Sequence, residues 1–403
     1  MPLQISILLL CTAAAFMPIL LARRFANYVA NWTGRPVDDE ATPKVSVLLP
    51  CKGVDPGFEE NLATVFAQDL PGVELVFATA TPDDEACDPI RRTMNRYPQI
   101  QAKLVHAGLP TSCSQQNNNQ LKAAAAASPH SDVFVVIDSD IRLPSDYLSN
   151  LIRPLKDPNV MAATGYRWYS PPASSGLGSW LRSTWNAGAL AIMPDRNRNF
   201  AWGGAMAFRT SDFSLATLNR IWGTTLDDDH TLTQFVRRNN GEIVFVPGCM
   251  ALTHEHTSLM DTVRWTNRQT LITRIYNLPF WVRVLAIHGL QILAVAAGAL
   301  IIIGVGLKML PMAWTIMGIS MQLPMLGMCL GASSMIDAMA GILPQPTANQ
   351  ARRQRWLYVV LTPMASLLCL WNSMASLLTS DMTWRGVTYR MVSAEKTTII
   401  DGQ

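Results

Sequence analysis

Apolar runs about as long as a bilayer is thick sit at the two ends of the chain, on either side of a long stretch of ordinary polar patterning. Pro2 to Ala22 is apolar apart from Gln4, Ser6 and Thr12, and Arg23 and Arg24 follow at once. Roughly 20 such residues suit one helical crossing. No positive charge precedes the run and no small-residue cleavage site follows it, so it reads as an uncleaved anchor rather than a signal peptide. The Arg pair puts that flank in the cytoplasm. Three more apolar blocks follow the polar stretch: Val284 to Gly306, Met309 to Leu330 with Pro311 and Pro324 inside it, and Trp356 to Leu378. Between the last two, Pro344 to Arg355 is a polar loop whose Arg352, Arg353 and Arg355 favour the cytoplasmic face. If all three blocks cross, the tail from Ser380 lies outside; if the last is re-entrant or interfacial, the tail returns to the cytoplasm.

The polar stretch alternates short apolar runs with helical spacing. Val45 to Leu49 predicts a buried strand ended by Pro50, and Cys51 to Gly57 a turn-rich loop. Phe58 to Gln68 predicts a helix, Val73 to Ala78 a strand, Ile90 to Tyr97 a helix and Ala102 to His106 a strand. Gln120 to Ser128 predicts a helix, and Asp132 to Ile137 a strand that runs straight into Asp138. Strands alternating with helices imply an α/β fold with a mostly parallel sheet and right-handed crossovers. In such sheets ligands bind beyond the carboxyl ends of the strands. The acidic loops after the second and fourth strands fall there. The expected organisation is an anchor over 1–24, a catalytic domain over 40–275, membrane-associated helices over 280–380 and a tail over 381–403.

Composition supports the membrane reading: 15% of the 403 residues are charged, against roughly 25% in an average soluble protein. A net charge of +3, with no basic patch, argues against nucleic acid as a partner. The seven cysteines are scattered without a CxxC pair and read as free thiols in a reducing compartment.

Three groups of residues point to chemistry. Asp138-Ser139-Asp140 ends a hydrophobic strand with two carboxylates, a hard-oxygen pair for Mg²⁺ or Mn²⁺ and the phosphates such ions carry. Helix-capping acids in a solvated loop are the plain alternative. Asp227-Asp228-Asp229-His230 opens an amphipathic helix, Thr231 to Arg238. One acid there suits the helix dipole, but three in a row exceed that need and allow a general base. Arg264 and Trp265, with Arg268 and Gln269 one turn on, suit phosphate clamping and stacking, or an interfacial helix. Gly203-Gly204 suits close backbone approach to a ligand, or a tight turn.

In order, VSVLLPCKGVDPG, the acidic pair Asp83-Asp84, VIDSD, Gly-Gly, DDDH, Arg-Trp and the tail TWRGVTYR resemble the ceramide glucosyltransferase family of inverting nucleotide-sugar transferases over nearly the whole chain. The resemblance implies a GT-A type nucleotide-sugar-binding domain flanked by transmembrane helices. It places Asp84, with Asp83 beside it, on the nucleoside. Asp138 falls on the metal-diphosphate carboxylate, with Asp140 completing a D-x-D, and Asp229 falls on the general base. Gly203, Gly204, Arg264, Trp265 and Arg268 are expected on the donor side. Two positions depart from the pattern: Asp261 stands where the family has Gln or Arg before Arg-Trp, and Gln116 stands where it has Lys. The implied reaction moves a hexose, UDP-linked, to a membrane lipid hydroxyl such as that of ceramide. The catalytic domain would lie on the cytoplasmic side, at the inner membrane in a bacterium. A polysaccharide synthase and an inactive lipid-binding scaffold are the competing readings.

Overall fold

A computed structural model describes residues 2–32 and 43–401. The expected domain start at residue 40 and the last two residues of the expected tail fall outside them. The chain divides into two compact units.

One unit takes in Thr33–Tyr169, Asp195–Glu255 and Thr379–Gln403. Its strands are β1 (Val45–Pro50), β2 (Glu74–Thr79), β3 (Gln101–His106), β4 (Val133–Ile137), β5 (Val160–Tyr169), β6 (Ala205–Arg209) and β7 (Glu242–Thr253). Among the described residues they form one seven-stranded sheet in the order β3-β2-β1-β4-β6-β5-β7. β1 pairs in parallel with β2 and β4, β2 with β3, and β5 with β7, while β6 runs antiparallel between β4 and β5. Sheets covered on both faces are built from near-continuous apolar runs. β1, β2 and β4 are buried at every position, and these three, with the part-exposed edge strand β3, match the predicted runs to within a residue or so. Helices Phe58–Phe66, Cys87–Arg96 and Gln115–Ala126 make the crossovers. Leu48, Val76, Val136, Phe208, Trp222 and Leu232 belong to the core under the sheet.

The helix expected from Gln120 begins earlier, at Gln115, because the Ser114 side chain accepts the Asn117 amide at 3.1 Å and caps it. Its first turns are polar yet buried. Asn117 Nδ2 donates to the Thr225 carbonyl at 3.0 Å, and Asn119 Nδ2 to that of Cys51 at 3.1 Å.

The amino end of the sheet is fastened by Glu74, whose side chain is only 4% exposed. Its carboxylate takes the Lys103 ammonium at 2.7 Å, the Ser46 hydroxyl at 2.6 Å and the Ser128 amide at 2.8 Å. Burial alone would raise the Glu74 pKa, but these three donors more than offset it and hold the group below 4.5. A depressed folded-state pKa adds stability that is present above the unfolded value and lost as pH falls through the folded one. Glu74→Gln is expected to cost about 2 kcal/mol and to flatten the acid limb of stability. Thermal unfolding of the solubilised protein between pH 3 and pH 7 checks both.

The tail, in which no element is predicted, forms a second sheet: β8 (Asp381–Trp384), β9 (Val387–Ser393) and β10 (Lys396–Asp401), antiparallel in the order β10-β9-β8. It is part of the same unit. The Thr397 amide donates to the Thr224 carbonyl at 2.8 Å, and the Gln115 amide to the Tyr389 hydroxyl at 3.2 Å.

The other unit takes in Met1–Trp32, Ser170–Pro194 and His256–Leu378 and is helical. Among the described residues, four helical stretches are long and apolar enough to cross a membrane: Gln4–Ala30, Leu278–Gly306, Met312–Met339 and Arg355–Ala375. The first helix runs on past Arg23 and Arg24 to Ala30. Pro311 precedes the short 3₁₀ turn at Met312–Trp314 and Pro324 lies in the first turn of Leu323–Met339, where a missing N–H leaves no bond unmade. The prolines therefore mark starts rather than kinks. Gly327 and Gly331, one turn apart, let that helix approach the first one. A side chain at Gly327 would meet the Ala15 carbonyl, and one at Gly331 would stand 2.9 Å from that of Pro18.

Candidate active site

β4 ends at Ile137, and the Asp138 amide donates to the Gly204 carbonyl at 3.0 Å, which carries the ladder with β6 one residue further. Asp138 and Asp140 thus emerge at the carboxyl end of the sheet. Between them lies Arg167, from β5. Its Nη2 donates to Asp138 Oδ2 at 2.9 Å and to Asp140 Oδ1 at 2.7 Å, and its Nη1 to Asp140 Oδ2 at 2.8 Å. The guanidinium lies 5.3 Å over the Trp202 ring. Burial, then Asp140, push the Asp138 carboxyl up to about 7 against the pull of Arg167. Burial also opposes ionisation of Asp140, but the forked contact with Arg167 more than offsets it and holds that pKa down. The two carboxylates therefore differ: the forked Arg167 contact holds Asp140 ionised, while Asp138, with a single bond to Arg167, is short of positive charge and drawn towards its proton. Two hard oxygen ligands that one guanidinium does not satisfy are a chemical fit for Mg²⁺ or Mn²⁺.

Across β1, Asp84 Oδ1 accepts the Gly53 amide at 2.8 Å and the Ala86 amide at 3.0 Å, which ties the loop after β2 to the loop after β1. Gly53 sits at φ +65, in the left-handed region. Lys52, Gly53, Asp83, Asp84, Glu85 and Arg385 line an open cleft of about 320 Å³.

The acidic cluster opens the helix Asp229–Arg238. Asp227 Oδ2 accepts both the backbone amide of His230, at 2.9 Å, and its Nδ1, at 3.0 Å. Nδ1 also lies 2.7 Å from Asp229 Oδ1. Burial works against a charged imidazole here, but the two carboxylates more than offset it and hold His230 protonated. Asp227, buried and beside Asp229, is pushed up to about 8. Asp229 is buried too, yet the His230 charge and hydrogen bond, the Asp227 hydrogen bond and the Gly203 amide at 3.3 Å hold it ionised below the usual carboxylate range. Asp228 turns the other way. It takes Gln120 Nε2 at 2.7 Å and Gln116 Nε2 at 3.5 Å, and burial with Asp229 pushes it up to about 6. Among the described residues, Asp227, Asp229 and His230 also form a three-ligand group within 4.8 Å, with His230 already bridging the two acids.

Gly203-Gly204 joins these parts. Gly204 receives Asp138, Gly203 donates to Asp229, and a Cβ at Gly203 would stand 2.8 Å from the Asp228 carboxylate. The close approach predicted at this pair is to the protein's own acids. Arg264, Trp265 and Arg268 belong to the helical unit, on the helix Leu259–Tyr276. Trp265 packs edge-on to Trp185, with ring centroids 5.4 Å apart. Asp261, the departure from the expected motif, is the N3 residue of a helix cap. The Ser258 hydroxyl accepts its amide at 3.1 Å and donates to its carboxylate at 2.7 Å.

The family model for glycosyl transferase family 21 matches residues 9–397. The chain belongs to glycosyl transferase family 21. The resemblance drawn from the motifs is borne out. Curated relatives of this family 21 chain include ceramide glucosyltransferase 1 of Caenorhabditis elegans, 28% identical over 125 residues that make up 31% of this chain and 26% of that protein. An N-acetylglucosaminyltransferase of Rhizobium meliloti (strain 1021) is 28% identical over 176 residues, 43% of this chain and 38% of that one. The matched segments thus span about a quarter to two fifths of these two relatives. Among solved structures, a mannosyltransferase from Pyrobaculum calidifontis in complex with GDP-Man and Mn²⁺ aligns over 92% of the family 21 chain and 98% of its own. The TM-score is 0.50 and the identity 16%, a likeness of fold. The expected GT-A type α/β class is the one found.

Sequence reasoning passed over Arg167, Gln120 and Arg385. Arg167 had a signal: a lone arginine in the apolar run of β5, GYRWY, is seldom buried without a carboxylate partner. Gln120 had none, since an amide in a polar helix start looks solvated.

Proposed function

We propose that this chain is an inverting glycosyltransferase that moves a hexose from a nucleoside diphosphate sugar, UDP-linked, to a hydroxyl of a membrane lipid such as ceramide. The observation that carries the reading is the meeting of D-x-D and an ionised Asp229 around Gly203-Gly204, with the Asp84 loop at the same carboxyl end of the sheet, in a member of family 21. Asp229 accepts the proton of the acceptor hydroxyl as its oxygen attacks the anomeric carbon. The bond from that carbon to the diphosphate oxygen breaks on the opposite face, so one displacement inverts the centre. Asp83 and Asp84 face the nucleoside. Asp138 and Asp140 would hold Mg²⁺ or Mn²⁺, which supplies charge neutralisation for the leaving diphosphate. Arg264, Trp265 and Arg268 are assigned to the donor on the family resemblance. Four apolar helices and relatives named ceramide glucosyltransferase support a lipid acceptor and a multi-pass protein. The catalytic unit faces the cytoplasm, where nucleotide sugars are made.

Membranes containing the protein, incubated with a panel of radiolabelled nucleotide sugars and then extracted, are expected to carry label in the lipid fraction. Label only in polymer, or in neither fraction, would refute the reading.

A further inference from the structure

The tail sheet brings a cation to the nucleotide cleft. β8 and β9 are joined by a two-residue turn, with Trp384 opposite Val387. The two turn residues, Arg385 and Gly386, have φ of +45 and +82, the left-handed pair of a type I′ hairpin. Asn, Asp and Gly suit that first position; arginine there is uncommon and strained. A strained residue held by its surroundings is a reason to look for a role in its side chain.

The Arg385 side chain reaches back over the sheet to the cleft. Its Nη2 donates to Asp55 Oδ2 at 2.6 Å and its Nη1 to the Lys52 carbonyl. These contacts use two of the five N–H groups that a guanidinium carries. The side chain is 33% exposed and lines the cleft with Lys52, Gly53, Asp83 and Asp84. Its charge is felt at both Asp138 and Asp140. Arg385 therefore stands between the loop expected to take the nucleoside and the carboxylates expected to take the diphosphate. The other cations of the site are less available. Arg167 is forked onto Asp138 and Asp140, His230 is held by Asp227 and Asp229, and burial together with Arg385 lowers the Lys52 pKa despite Asp84.

We propose that Arg385 is a donor-binding residue whose guanidinium takes the diphosphate of the nucleotide sugar, so that the tail sheet forms a wall of the donor site. This rests on the donor reading given above.

Arg385→Asn is the informative variant. Asn-Gly is the favoured type I′ pair, so the hairpin keeps its turn and loses only the cation. Binding of UDP and UMP to the detergent-solubilised full chain is measured by calorimetry, with GDP and GMP alongside. Wild type is expected to prefer UDP. In Arg385→Asn, UDP binding should weaken about 10- to 100-fold, the scale of one lost hydrogen bond to a charged group. UMP binding should change little, and the melting temperature should hold or rise. Asp55→Asn, which loosens the same turn but keeps the guanidinium, should retain the UDP preference. An Arg385→Asn protein that still prefers UDP as wild type does would make the residue a latch for the hairpin and overturn this inference alone. A wild-type protein that binds neither UDP nor GDP would overturn the donor reading and this inference together.

Discussion

Asp229→Asn is expected to lower turnover at least about 10²-fold, the usual contribution of a general base, while leaving the KM for the donor nearly unchanged. An alcohol is a weak nucleophile at neutral pH, so its proton must have somewhere to go in the transition state. Of the three consecutive acids, Asp229 is the one suited to receive it. Asp227 is pushed up to about 8 and keeps its own proton at pH 7. Asp228 is only 6% exposed and is turned onto Gln120 and Gln116. Asp229 stays ionised and its side chain keeps 18% exposure. Asparagine keeps the size and can still accept the Gly203 amide, but it cannot take a proton. A loss confined to kcat marks an interaction made only in the transition state. Asp227→Asn should be mild, because an amide oxygen can still cap the His230 amide. Steady-state kinetics on all three variants decides the register. Normal turnover in Asp229→Asn with loss in Asp228→Asn would move the base by one residue.

Removing divalent cations should have an effect of similar size. Arg167 sets one positive charge against two carboxylates, so it has nothing left for a leaving diphosphate. Neutralisation by a bound ion is worth several kcal/mol, and each 1.36 kcal/mol is about tenfold in rate. Excess chelator should therefore cut turnover about 10²-fold or more, with Mg²⁺ or Mn²⁺ restoring it. Asp138→Asn should raise the concentration of ion needed for half-maximal activity, since Asp138 is the carboxylate that Arg167 leaves partly uncovered. Unchanged turnover in excess chelator would remove the metal from the assignment.

What the sequence discloses about this fold follows from how each part is held. β1, β2 and β4 lie in the sheet interior, so an unbroken apolar run is itself the signal, and the D-x-D at the end of β4 inherits its position from that run. The order of β5, β6 and β7 is different. β6 enters antiparallel between β4 and β5 through pairings distant in sequence, and no local pattern records them. Polar burial hides as well. The helix at Gln115 buries amides satisfied by the backbone of other segments, so its inner face reads as solvent. The same holds at the site, where the carboxylates stand out by type and spacing but the groups that tune them do not. Arg167 comes from β5, Gln120 from a crossover helix and Arg385 from a tail read only as a motif. Asp261, read as a lost donor contact, is accounted for by Ser258 in its own turn.

The tail sheet carries a consequence for counting membrane crossings. Because β8–β10 are part of the same body as β1–β7, Glu255 and Thr379 stand on one face of any bilayer the chain spans. The stretch between them must then cross an even number of times. Three candidate spans lie in that stretch, Leu278–Gly306, Met312–Met339 and Arg355–Ala375, and an odd number of full crossings would carry β8 away from the sheet it packs on. At most two of the three are therefore expected to cross fully, the rest dipping in and returning or lying along the surface. Reporters placed near Asp88 and after Gln403 are accordingly expected to sense the same compartment, and opposite compartments would overturn the even count.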